Sequence, residues 1–140
     1  METSSLLRHQ IIKSLMAPPT EEVAAIAINL WEQMAIQIIS TVGVGGFNSL
    51  YARSIFLAQS TFPWLREGSP SSETDRRFAE LKTSLEGQAP ATACEANCLL
   101  LITFTDILAS LIGEHLTASI LRSAWGDGAS DRADKEFKHE

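Results

Sequence analysis

Formal charge is almost absent from two long stretches of this chain, and that limits its possible folds more than any motif does. Residues 20–65 and 88–125 together hold eight of 28 formal charges, the whole chain having 17 acidic and 11 basic residues. In the first stretch they are Glu21, Glu22, Glu32 and Arg53; in the second, Glu95, Asp106, Glu114 and Arg122. Helices with so few charges have little material for a solvated face. Such elements are expected to bury more than one side each, against one another and against a second copy of the chain.

At 140 residues one domain is expected, large enough to bury a core without disulfides or metals. The net charge of −6 excludes an electrostatic nucleic-acid binder, which needs clustered Lys and Arg. The densest basic spot, Arg76-Arg77, is flanked by Asp75 and Glu80. The same shortage excludes a polybasic membrane-surface module. Of the long uncharged runs, 33–52 is interrupted by Gln33, Gln37, Gly43, Gly45, Gly46 and Asn48, and 96–113 contains Asp106. Neither is expected to span a bilayer, which takes roughly 20 apolar residues. At the N-terminus Arg8 and Lys13 interleave with Leu6, Leu7, Ile11 and Ile12, unlike a signal peptide. A soluble, cytoplasmic protein is expected.

Every long segment repeats with a period near 3.6 and none alternates, so the fold class is all-α, a bundle of four to five helices. Over residues 21–42, Val23, Ala27, Leu30, Trp31, Met34, Ala35 and Ile38 share one side, with Thr20 as the expected N-cap and Gly43 as the stop. After a break at residues 43–46, a second helix is expected from Phe47 to Thr61. Its core stripe is Phe47, Leu50, Tyr51, Ile55, Ala58 and Phe62, and Pro63 closes it. Residues 72–75 resemble a capping box opening a charged helix in which only Phe78, Leu81 and Leu85 look inward. The last long helix is expected from Pro90 or Thr92, capped by Thr92 and Glu95, and running to Trp125 with a bend or break at Gly113. A weaker amphipathic helix spans about 4–16. Residues 1–125 form the helical domain and 126–140 a flexible polar tail.

Each residue with chemical potential also has a plainer reading. Cys94 and Cys98, four apart on one helix, are better read as small buried thiols than as a metal or redox pair. Asp106 falls on the same polar stripe as Glu95, Ser110 and Glu114, as a rim carboxylate. His115 projects into the apolar arc near Phe104, Leu108 and Leu111, with Arg122 two turns on, and is the residue most open to a ligand or proton-sensing role. Gly43-Val-Gly45-Gly46 follows a helix rather than a strand, so it is an interhelical turn and not a dinucleotide fingerprint. The amides at the start of the Phe47 helix could still bind an anion, with Arg53 assisting two turns on. Phe47, Tyr51, Phe56, Phe62 and Trp64 are mostly core, except Phe56, which lies beside Arg53 on the opposite face as interfaces favour.

His9, His115 and His139 have no metal-ligand spacing with the cysteines, and no catalytic constellation is present, so no cofactor, metal or enzymatic activity is expected. The reading that follows is a non-enzymatic regulatory or interaction module acting as a homodimer. His115, Arg122, Arg53, Phe56, Tyr51 and Trp64 are its ligand or interface candidates. The other reading is a sensor with an apolar or haem-type ligand held between helices.

Overall fold

A computed structural model describes residues 2–16, 21–65 and 78–126. Every regular element among them is helical, as the 3.6 periodicity requires. In chain order these are α1 (Glu2–Met16), α2 (Val23–Ala58), α3 (Ala79–Glu86), α4 (Pro90–Ile112) and α5 (Glu114–Leu121), which runs into a π turn at Arg122–Gly126. Thr20, the capping box at 72–75 and the tail expected from 126 lie outside, or at the edge of, the described residues.

The element α2 is two helical arms joined at Gly43, whose φ of 86° and ψ of 164° are open only to glycine. Trp31 and Tyr51 stand twelve residues before and eight after that point. In a straight helix they would be about 30 Å apart at 1.5 Å per residue, yet their ring centroids lie 5.3 Å apart. The arms therefore fold back toward each other, and Gly43 is the corner. The expected four-residue break is thus too long. Only Gly43 leaves the helix, and the second arm begins at Val44 with Gly45 and Gly46 already helical.

This yields a prediction for three nearly adjacent glycines. Gly43→Ala should destabilise by about 1–3 kcal/mol, purely from backbone conformation, because nothing lies within 4 Å of its added Cβ. Gly45→Ala, helical and equally open, should stabilise by up to about 1 kcal/mol. Gly46→Ala should fall between, since its Cβ would sit 3.0 Å from Val42 Cγ2. Urea midpoints of the three variants check the order.

Five rings meet where the arms converge. Trp31 stands edge-on to Tyr51 and Phe104 (both 5.3 Å), and Phe78 lies 5.7 Å away. Phe47 packs on Phe104 at 5.4 Å and on Tyr51 and Phe78 at 6.1 Å. These separations suit favourable edge and offset ring contacts. The Trp31 indole N–H donates to Asn97 Oδ1 at 2.8 Å, and Asn97 Nδ2 donates to Met16 Sδ at 3.1 Å, so one polar thread crosses α2, α4 and α1. At the other end Trp125 Nε1 donates to Leu30 O at 2.9 Å and fastens the π turn to α2.

Phe78, Leu81 and Leu85 are all buried, as their spacing on a short charged helix requires. Of the two expected starts of α4, Pro90 is the one observed. Ala89 is the extended N-cap and Pro90 the first helical residue, so the expected Thr92–Glu95 box caps nothing. Gly113 is a full break, with φ 96° and ψ 152°. By length and composition alone α2 and α4 are each long and apolar enough to cross a membrane, a property they share with the buried core helices of water-soluble proteins.

Candidate functional site

The break at Gly113 shifts the helical phase and overturns the placement of His115. Projected as one helix, it shares a side with Phe104 and Leu108. In the structure those two are buried, while His115 is exposed with Leu116 beside it, and Thr117, Ile120 and Leu121 turn inward instead. Leu111, expected in the same arc, is 67% exposed. Arg122 is exposed in the π turn. Tyr51 belongs to the five-ring core, which removes it as a surface contact, and Trp64 is half-buried against Phe62 at 5.7 Å. Leu99 is half-buried against the core. The candidates thus form no single pocket lining.

Two of them do share a surface. Arg53 and Phe56 are exposed on the outer side of the second arm of α2, with Phe56 68% exposed and Leu57 next to it also exposed. Ser49 and Ala52 lie on the same side one turn back. Ile36 and Val44 add exposed apolar surface along α2, and Leu111 and Leu116 do so on either side of Gly113.

A second, polar arrangement was not anticipated. Arg8 of α1 is only 5% exposed and reaches both sides of the Gly113 break. Its Nη1 donates to Thr105 Oγ1 at 2.8 Å and to Asp106 Oδ1 at 2.6 Å, on α4. Its Nη2 donates to Glu114 Oε2 at 2.6 Å, at the first residue of α5. His9 Nε2 lies 3.0 Å from the same Asp106 oxygen. The fork of one guanidinium thereby fixes the angle between α4 and α5. Asp106 is a rim carboxylate, 47% exposed, as its stripe indicated, but one whose Oδ1 takes both Arg8 and His9. The available signal was Arg8 itself, in line with Ile12 and Met16 at steps of four, an arginine on the buried side of α1.

Burial raises the Asp106 carboxyl, but hydrogen bonds and charge from His9 and Arg8 outweigh it and hold the group below its ordinary range. Burial likewise lowers the Arg8 value, while Glu114 and Asp106 more than reverse this. A depressed carboxyl contributes stability above the unfolded pKa of about 3.9 and loses it as pH falls through the lower folded value. Asp106→Asn should therefore cost about 1 kcal/mol at neutral pH, modest because the carboxylate is half solvated. That difference from the parent chain should vanish by about pH 2–3. Urea titrations at both pH values check it.

No family model, curated protein or solved structure matches this chain. Its function must therefore be argued from its own surface. Among the described residues there is also no group of three or more His, Cys, Asp or Glu placed to hold a metal ion.

Proposed function

We propose that the chain is a non-enzymatic interaction module that works as a homodimer, joined through the second arm of α2. The observation that carries this is Phe56, a large aromatic left 68% exposed beside Arg53 on a helix whose 36 residues contain only two charges, Glu32 and Arg53. Aromatics and arginine with few other charges characterise the centres of protein interfaces. A second copy is the partner this arm suits. In a two-fold antiparallel arrangement each Phe56 can seat on the other copy's Ser49 and Ala52, large against small. A setting in water is supported by Glu95 and Asp106 exposed on α4, charges that are costly inside a bilayer. Two free thiols accord with a reducing, cytoplasmic compartment. The ligand-sensor reading has less support, because His115 is at the surface and Phe47 and Tyr51 pack on other rings.

Mass in solution, followed by sedimentation from high to low micromolar concentration, tests the proposal. The parent chain should have twice the monomer mass. Phe56→Glu should weaken association by roughly 30-fold or more, in line with loss of a central aromatic worth about 2 kcal/mol, with unchanged helical circular dichroism. A single-copy mass for the parent throughout would end this reading.

A further inference from the structure

Cys94 and Cys98 are half-buried free thiols one turn apart on α4, and neither the α2 surface nor the Arg8 clamp involves them. Four residues apart, they stand one above the other on the same side of α4. The last turn of α1 covers them: Cys94 Sγ donates to Met16 O at 3.7 Å, and Lys13 lies close enough for its charge to act on Cys98. Met16 places its own sulfur on Asn97, the residue just before Cys98. We propose that Cys94 and Cys98 form a two-sulfur site for one soft monovalent cation of the copper(I) class, covered by the end of α1.

The geometry separates this from the other roles of a thiol pair. Residues four apart on a helix hold their Cβ atoms about 5–6 Å apart, whereas a disulfide needs roughly 3.5–4.5 Å, so oxidation would distort α4. An ion bridging the sulfurs with bonds of about 2.3 Å each spans the gap without moving the backbone. Zinc would want four ligands, and the described residues offer no such group. Two thiolates alone suit a soft ion content with low coordination. Binding exchanges both S–H protons for one cation and releases them to solvent, with no electron transferred. The product carries one negative charge, which Lys13 offsets and Glu95 opposes.

The test titrates the full chain with copper(I) under nitrogen, against the chromophoric chelator bathocuproine disulfonate. One ion per chain should be retained. Cys94→Ser and Cys98→Ala should each lose roughly 100-fold or more in affinity, beyond the range typical for outer-shell partners, and Lys13→Glu roughly tenfold. Circular dichroism confirms that each variant is folded, and the alanine variant avoids placing a hydroxyl in a half-buried position. Equal copper retention by the parent chain and Cys98→Ala, or complete stripping of the parent by the chelator, overturns the site.

Discussion

Trp31→Ala is expected to remove about 4 kcal/mol of stability, lowering Tm by roughly 10–20 °C for a domain of this size. Three losses add at one position. The indole is fully buried, so truncation opens a cavity between the arms of α2 that packed rings cannot collapse to fill. Edge contacts with Tyr51 and Phe104 vanish, each worth about 0.5–1.5 kcal/mol beyond burial. Asn97 Oδ1 is left as a buried acceptor without its donor, at a cost of about 1–3 kcal/mol that overlaps the first two. Trp31→Phe separates these parts, since it keeps a ring and removes the N–H, and about half the loss should remain. Trp125→Phe should cost less. Its partner, Leu30 O, is a backbone oxygen inside α2 that the helix's own hydrogen bonding already serves. Thermal unfolding followed by circular dichroism ranks the three. Equal effects of Trp31→Phe and Trp125→Phe would mean that the Asn97 bond contributes nothing of its own.

The same contacts show which parts of this fold could be read from sequence. Helical stripes were legible because burial and period coincide. Leu81 and Leu85 are the inward side of α3, with Phe78 at its N-cap, and Phe47, Leu50, Tyr51, Ile55 and Ala58 are the apolar inward side of the second arm of α2. Phe56 and Arg53 were legible by the same logic, as residues off the stripe. The corner was not. Gly43, Gly45 and Gly46 look alike in sequence, and only the backbone dihedrals show that the first alone turns the chain. His115 was misplaced because the projected arc runs past the end of the core, Leu111 being exposed already before the break, and Gly113 at φ 96° then resets the phase. The Arg8 clamp was hidden differently. Its partners lie 97 to 106 positions away, and no local pattern connects them. The low-charge stretches did forecast extensive burial. Most of it is met within one copy, and the surplus is concentrated at a few side chains rather than along whole faces.

Arg8→Met should cost about 2–3 kcal/mol, although methionine preserves most of the buried stem. Removing one member of a buried ion pair strands the other, and here Glu114 loses its partner while Asp106 keeps only His9, across the Gly113 break. The full penalty of about 3–5 kcal/mol for a wholly buried pair does not apply, since Asp106 and Glu114 are 47% and 35% exposed and water relieves them. Arg8→Lys should recover less than half. An ammonium cannot make the fork that reaches α4 and α5 together. The defect should also be local before it is global. Amide exchange ought to accelerate first in α1 and α5, which the guanidinium joins, while the amides around Trp31 keep their protection. Acid supplies the decisive comparison. As Asp106 takes up its proton, the parent chain loses the same ion pair that the variant already lacks, so the stability gap between them should narrow below about pH 4. A gap that stays constant from neutral pH to about pH 2 would mean that Arg8 holds α1 in place through its carbon stem and Thr105 rather than through its charge.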